Sequence, residues 1–244
     1  MSISTLTNGF ALAIGVLGLS SIATAANAAA INFSTWSAYG DVLTSGNTAS
    51  LSTNALQNDD LHDDSNLNFS GNGAVDFFTF DLESNLGLAT GSLSPDFDNF
   101  IEAIEGSGFN QELTFETRTK LEFDFSFLTN DETFVDFEGF RFADNGLFFF
   151  DDTVISLAST DSALTASTTT NYAQEITGTY SRTFAAGTYS VGFAVVDVGD
   201  AVDSSGLIIS GLQTESVPEA TSTIALFALA GLGLFQARRS RVNS

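Results

Sequence analysis

Strict alternation of apolar and polar residues is the feature that most constrains the fold of this chain. Between Leu121 and Phe127 every odd position is Leu or Phe, and every even position is Glu, Asp or Ser. Side chains of a β-strand point alternately to its two faces, so this segment predicts a strand with one buried and one solvated face. The chain contains 24 phenylalanines, and their frequent occurrence in such patterns indicates a sheet protein with an aromatic core.

Seven more segments show the strand period. Four of them form two pairs around short turns, one at Asp151-Asp152 and one at Ala185-Ala186-Gly187. Many short strands separated by polar turns predict an all-β fold, an antiparallel β-sandwich that is jelly-roll-like. The polar stretch 45–73 is expected to form loops between edge strands. The seven segments are 75–81, 134–142, 147–150, 153–157, 175–184, 188–196 and 206–212.

One segment predicts a short helix within this all-β fold. Ser94 followed by Pro95 is typical of a helix N-cap and first helical residue. The apolar residues at 97, 100, 101 and 104 then have the i, i+3, i+4, i+7 spacing of one helix face. Gly106 predicts the end of this helix.

The first 28 residues have the order of a secretory signal peptide. A ten-residue apolar stretch at 10–19 is followed by small residues that end in Ala26-Asn27-Ala28, and signal peptidase cleaves after such A-x-A patterns. Ala23-Thr24-Ala25 is a second candidate for the cleavage site, and a buried N-terminal helix is the alternative interpretation. We therefore predict export through the Sec route, with a mature domain over residues 29–216.

The segment 217–244 contains a short motif, an apolar run and a basic end, in that order. The run 224–235 is 12 residues, or about 18 Å of helix, against a bilayer core of about 30 Å. Arginines stay on the cytoplasmic side of a membrane, which leaves the motif on the far side. A permanent membrane helix is the alternative. The defining residues are Val217, Pro218 and Glu219 in the motif, and Arg238, Arg239 and Arg241 in the basic end.

This tail resembles the PEP-CTERM sorting signal of Gram-negative bacteria, with Ala220 where a second proline is usual. The resemblance implies that a membrane-embedded protease of the exosortase family removes the tail. It further implies a transient anchor in the inner membrane, followed by delivery to the outer surface or the extracellular space. Exopolysaccharide is the associated partner that the resemblance suggests.

The exported part excludes several classes of function. Between residues 29 and 216 it carries 29 acidic and 4 basic residues, a formal charge of −25, so we expect no nucleic-acid partner. Cysteine is absent, which removes disulfides and thiol catalysis. His62 is the chain's one histidine, so a multi-histidine zinc site cannot form. We interpret His62 as a surface-loop residue.

An aspartate-rich turn is the strongest candidate site outside the tail. Asp197, Asp200 and Asp203 recur every third residue after an apolar strand, and Asp131-Glu132 end a second strand. Carboxylates on short loops suit Ca²⁺, so these five residues are the predicted calcium ligands. The alternative is an Asx-type turn in which the aspartates cap backbone N–H groups. A weaker second candidate is the acidic loop Asp59, Asp60, Asp63 and Asp64.

Two classes of function remain. The stretch 121–212 resembles the strands and acidic turns of secreted β-sandwich domains in PEP-CTERM and related surface proteins. We therefore expect a non-enzymatic surface or extracellular-matrix protein without a catalytic site. The alternative is a carboxylate-based polysaccharide hydrolase or a carbohydrate-binding module on the same sandwich. Trp36 and the four tyrosines are too few and too scattered to indicate a sugar-stacking platform.

Overall fold

The computed structural model describes residues 28–56, 67–77, 81–94, 101–135, 139, 141–167, 170–199 and 202–218. In these residues two antiparallel β-sheets pack face to face, which confirms the predicted all-β sandwich. The predicted signal peptide and the hydrophobic C-terminal segment lie outside the described residues. Within the described ranges, no helix is long and apolar enough to cross a membrane.

Fifteen strands and one short α-helix, α1 (Leu82–Leu86), are found in the described part of the chain. In chain order the strands are β1 (Ala29–Ala30), β2 (Ser37–Tyr39), β3 (Asp41–Ser45), β4 (Thr48–Ser52), β5 (Val75–Asp76), β6 (Ala103–Phe115), β7 (Thr119–Thr129), β8 (Phe134–Val135), β9 (Arg141–Phe142), β10 (Asn145–Phe150), β11 (Thr153–Ser159), β12 (Thr165–Ala166), β13 (Gln174–Phe184), β14 (Gly187–Val198) and β15 (Ser205–Ser216).

The first sheet has the order β12-β13-β7-β15-β4-β3, with β1 also paired to β15. The second has the order β11-β10-β14-β6-β2, with β5 also paired to β6. The long central pairs are β7 with β13 and β15, and β14 with β6. Strands β8 and β9 pair only with each other among the described residues.

The alternating pattern of 121–127 forms strand β7, as predicted. Leu121, Phe123 and Phe127 are buried between the sheets, while Asp124 on the opposite face is exposed. Burial of the apolar face stabilises one register, because a shift by one residue would expose every phenylalanine on this strand.

Phe193 of β14 lies at the centre of the core. Its ring centroid is 4.9 Å from that of Phe123 on the opposite sheet, and 5.4 Å from those of Phe109 and Phe148 on its own sheet. The Phe123 contact is edge-on, at 88° between the ring planes, a favourable geometry for aromatic pairs. The two sheets are therefore joined by aromatic packing.

Strand β10 is apolar on both faces, and the fold explains why. Phe148 and Phe150 point into the space between the sheets, whereas Leu147 and Phe149 pack in a second cluster with Leu82 and Leu86 of α1. The helix therefore covers part of the outer face of the second sheet. A strand buried on both sides is expected to be a continuous apolar run.

The predicted hairpin around Asp151-Asp152 is confirmed as β10–β11. The turn at 185–187 has a different role, because β13 and β14 belong to different sheets. Residues 116–118 likewise connect β6 of the second sheet to β7 of the first. Both connections lie at the same end of the sandwich, since Thr119 pairs with Phe184 and Phe115 with Gly187.

The predicted helix at 94–106 is wrong where the structure describes it. Residues from Ala103 onward form strand β6, and Gly106 pairs with Val196 of β14. The gain from pairing twelve residues with β14 exceeds the local helical preference of a few residues. The short helix lies earlier, at α1, where the Asp81 side chain accepts a hydrogen bond from the Ser84 N–H and Gly87 ends the helix.

Three other predictions need correction. The segment 134–142 is a hairpin of β8 and β9 instead of one strand, with Phe134 opposite Phe142. In the described residues of the segment 75–81, the strand is limited to Val75–Asp76, and Asp81 is the N-cap of α1. Stretch 45–73 contains β4, which lies inside the first sheet beside β15. Its small residues (Thr-Ala-Ser-Leu-Ser) concealed the strand period from the sequence.

Candidate functional site

Strands β7, β14 and β15 bring the predicted calcium residues to one end of the sandwich. Asp197, near the end of β14, is buried with 1% of its surface exposed. Asp131 follows β7, and the Asn130 N–H donates to the Ser204 carbonyl at 3.1 Å. The two predicted loops therefore meet. Glu132 is exposed, Asp203 is half-buried, and Asp200 lies outside the described residues.

Asp144 is the central residue of this end, which we call the polar end. It precedes β10 and is fully buried. Its Oδ1 accepts the Val198 N–H at 3.0 Å, and its Oδ2 accepts the Ser205 hydroxyl at 2.6 Å. Asp144 also hydrogen-bonds the side chain of Asp197. One carboxylate therefore links the end of β14 to the start of β15.

The polar end favours a proton on this carboxyl pair. Burial raises the pKa of Asp144 to about 7, from an ordinary value of 3.8, and the negative charge of Asp131 acts in the same direction. The hydrogen bonds from Ser205, Asp197 and Val198 lower the pKa and offset part of this rise. Because a carboxyl–carboxyl hydrogen bond needs a proton on one partner, the Asp144–Asp197 pair is arranged to share one.

Hydroxyl and amide groups surround the carboxyl pair. The Ser205 hydroxyl lies 2.8 Å from the Thr129 hydroxyl, and the Ser205 N–H donates to the Thr53 hydroxyl at 2.9 Å. The Asn54 amide donates to the Ser204 hydroxyl at 3.0 Å. Buried polar networks of this kind fix the relative positions of the strands that contribute to them.

A second buried carboxylate, Asp41, has a structural role. It accepts hydrogen bonds from the Ser52 hydroxyl and from the N–H groups of Phe69 and Ser70, at 2.8 and 2.6 Å for the latter two. These contacts hold the loop at 67–74 against the edge of the first sheet. These hydrogen bonds satisfy both carboxylate oxygens of Asp41 within the described residues.

The residues present do not complete a calcium site in the described chain. Among the described residues, no three His, Cys, Asp or Glu side chains are grouped closely enough to hold a metal ion. Asp144, the buried carboxyl that joins Asp131 and Asp197, was missed by the sequence interpretation because it lies alone between two short strands. The calcium assignment to Asp197, Asp200, Asp203, Asp131 and Glu132 stays a prediction.

A shallow hollow lies on the outer face of the first sheet, with a volume of about 330 Å³. Strands β7, β13 and β15 line it with hydroxyls and one carboxylate, and Asp124 accepts a hydrogen bond from the Thr179 hydroxyl at 2.6 Å. His62 and the acidic loop Asp59, Asp60, Asp63 and Asp64 lie outside the described residues. The lining residues are Asp124, Phe125, Ser126, Thr177, Gly178, Thr179, Ile208 and Ser210.

Comparison with known proteins assigns no family. No protein-family model matches the chain, and no curated protein matches it. A solved structure described as "Family 16 Carbohydrate Binding Module-2" aligns over 50% of this chain and 89% of its own, at 9% sequence identity and a TM-score of 0.25. A TM-score this low carries no argument about fold or function.

The shared proton predicts an unusual pH dependence of stability. Because the pKa of Asp144 is higher in the folded protein than in the unfolded chain, the folded state binds the extra proton between about pH 4 and 7. The stabilisation is fully present below about pH 4, falls steadily as the pH rises from about 4 to about 7, and is lost above about 7. Urea unfolding at pH 5 and pH 8 measures this loss, which we expect to be a few kcal/mol.

Asp144→Asn is the test variant. An asparagine can accept the Val198 N–H and donate to the Ser205 hydroxyl, which can then donate to Thr129. We expect stability equal to the wild type at pH 5 and greater at pH 8. Asp161→Asn, which removes an exposed ion pair with Arg141, is the control and should retain the pH dependence. A wild-type stability that rises from pH 5 to 8 would contradict the shared proton.

The predicted calcium site has its own test. If Asp197, Asp200 and Asp203 hold Ca²⁺, millimolar CaCl₂ raises the melting temperature by about 3 °C at ten times the dissociation constant. Asp200→Ala should reduce this gain, and Asp152→Ala, in the exposed β10–β11 turn, should not. MgCl₂ is the ion control, because Mg²⁺ requires stricter octahedral geometry. An unchanged melting temperature in CaCl₂ refutes the site.

Proposed function

We propose that this chain is an exported, non-enzymatic β-sandwich protein that a membrane protease of the exosortase type releases by cutting its C-terminal tail. Signal peptidase removes residues 1–28, and the apolar run at 224–235 anchors the protein in the inner membrane until the tail is cut. The acidic sandwich then acts at the outer surface or in the extracellular matrix, in association with exopolysaccharide.

This proposal rests on where the sandwich begins and ends relative to the two predicted cleavage positions. Strand β1 begins at Ala29, directly after the predicted signal-peptide cleavage site, and Ala28 is exposed. Strand β15 ends at Ser216, and Pro218 is exposed. The last backbone pairing there is the Val217 N–H with the Arg118 carbonyl, at 2.8 Å. Cleavage at either position would thus leave every strand of the described sandwich intact.

The arrangement of aromatic and acidic residues supports a non-enzymatic role. Trp36 is buried, with its ring 5.0 Å from Phe33 and 5.2 Å from Phe109, so it contributes to the core. Glycoside hydrolysis needs two carboxyl groups on either side of an open substrate site. Asp144 and Asp197 are buried inside the sandwich, which makes them unsuitable for that role.

Processing can be tested on the protein recovered from the cell surface or culture medium. We expect an intact mass that begins at Ala29 and ends near Glu219. Changing Pro218 and Glu219 to alanine should leave the tail attached and the protein in the membrane fraction. Glu215→Ala is a matched control because Glu215 is exposed but still within β15, before the motif. Recovery of native surface protein that retains Arg241 would falsify the proposal.

The hollow on the first sheet favours a second candidate, a carbohydrate-binding role. Hydroxyl and carboxylate groups of Asp124, Ser126, Thr177 and Thr179 lie together on one open face, where they can hydrogen-bond sugar hydroxyls. Only one carboxylate lines the hollow, so the same residues lack the pair that hydrolysis requires. We therefore retain carbohydrate binding, and not carbohydrate hydrolysis, as the second candidate function.

Affinity electrophoresis in gels that contain the producing cell's exopolysaccharide tests this role. We expect the wild type to be retarded, and Asp124→Ala with Thr179→Ala to bind about tenfold more weakly, because a charge-assisted hydrogen bond is lost. Thr114→Ala with Thr188→Ala removes a similar cross-strand pair, 2.9 Å apart, from the second sheet and should not change retardation. Equal mobility of all three proteins would show that the hollow does not bind exopolysaccharide.

A further inference from the structure

The two ends of the described sandwich leave it side by side. Ala29 pairs with Thr214 and Ala30 with Gln213, in antiparallel register. Since β15 runs toward Ser216 and β1 runs in the opposite direction, the chain enters and leaves at the same end. We call this end, formed by Ala29, Ser216–Val217 and the connections 116–118 and 185–186, the exit end.

The exit end differs in charge from the rest of the sandwich. Of the four basic residues between 29 and 216, three lie at or next to it: Arg118 is in a connection, Lys120 pairs with Glu215, and Arg182 pairs with Leu121. The fourth, Arg141, forms an ion pair with Asp161 in another part of the molecule.

Three glutamates balance these cations. Glu122 forms an ion pair with Lys120, and Glu116 and Glu215 are exposed nearby. Three further acidic residues lie at the same depth as Glu122: exposed Glu112, which pairs with Ser190, and Asp151 and Asp152 in the β10–β11 turn. The exit end is therefore acidic in sum, but it holds three of the four cations, which offset part of its negative charge.

The segment between the sandwich and the apolar run limits how far the exit end can lie from a membrane that holds this run. Six residues separate Val217, which is still hydrogen-bonded to Arg118, from the apolar run that begins at Ile224. Fully extended, this segment reaches at most about 24 Å. Strand β7, with 11 residues, spans about 35 Å between the exit end and the polar end. The segment that joins the sandwich to the apolar run is therefore shorter than the distance between the two ends of the sandwich.

We propose that, until its tail is cut, the sandwich stands on the bilayer with its exit end against the lipid headgroups. This inference rests on the proposed membrane anchoring of the tail. An acidic domain is repelled by anionic lipids, and the three cations of the exit end weaken that repulsion there. The polar end then points away from the membrane, and the motif Val217-Pro218-Glu219 lies at the bilayer surface within reach of a membrane-embedded protease.

Fluorescence quenching by headgroup-labelled lipids tests this orientation. Because the chain has no cysteine, one dye can be placed at Ala186→Cys on the exit end and, separately, at Glu132→Cys beyond β7; both positions are exposed. The full chain is reconstituted in phosphatidylcholine–phosphatidylglycerol vesicles with nitroxide on a fraction of the headgroups. We expect several-fold stronger quenching at position 186 than at 132.

Charge variants test the physical cause. Arg118→Glu with Lys120→Glu makes the exit end more acidic, and we expect weaker quenching at position 186, restored by high salt because salt screens the repulsion. Arg141→Glu adds negative charge elsewhere on the molecule and should leave quenching at position 186 unchanged.

The outcomes separate this inference from the proposed function. If the full chain does not float with the vesicles, the tail does not anchor it and both proposals fail. If the chain floats but positions 186 and 132 are quenched equally, or 132 more strongly, only the orientation is overturned. In vesicles without nitroxide lipid, the dye signal at position 186 should not depend on protein density. A signal that changes with density indicates that the exit end contacts a second copy of the chain, and this outcome also overturns the proposed contact with lipid.

Discussion

Aromatic packing between the two sheets is the interaction on which the rest of this structure depends. The chain has no disulfides, and a formal charge of −23 favours expansion over folding. Apolar burial has to supply the compensating stability, and the rings around Phe193 concentrate it where the sheets face each other. Phe123 from one sheet and Phe148 from the other meet at 5.2 Å, so neither sheet buries its apolar face without its partner.

The two ends of the sandwich follow from that packing but differ in chemistry. At one end the strands stop at a buried hydrogen-bond network around Asp144 and Ser205. At the other end the aromatic core reaches the surface, and the Arg182 guanidinium lies 4.1 Å from the centre of the Phe150 ring. A cation over an aromatic face shields the core from water while staying hydrated itself. The two ends of the sandwich therefore differ in chemistry, and they can bind different partners.

Most strands could be predicted from sequence because their period is a property of single segments. The alternation that buries Leu121, Phe123 and Phe127 needs no knowledge of the partner strand. Strands β4 and β6 were not predicted, and the start of β6 was interpreted as a helix. Their residues have weak or contrary local preferences, and only pairing with β15 and β14 makes them strands. The candidate site shows the same division: Asp131 and Asp197 were recognised by their place at strand ends, whereas Asp144 was not.

The sequence alone determined that this chain is an acidic, cysteine-free β-protein with a phenylalanine core, because composition and a two-residue period are local properties. It also contained the tail motif at Val217-Pro218-Glu219, on which the proposed destination rests. Only the tertiary structure decided that Asp144 meets Asp197, and that Ala29 lies beside Thr214. Such contacts join residues 53 and 185 positions apart, and they form when the sheets pack, which no short-range pattern encodes.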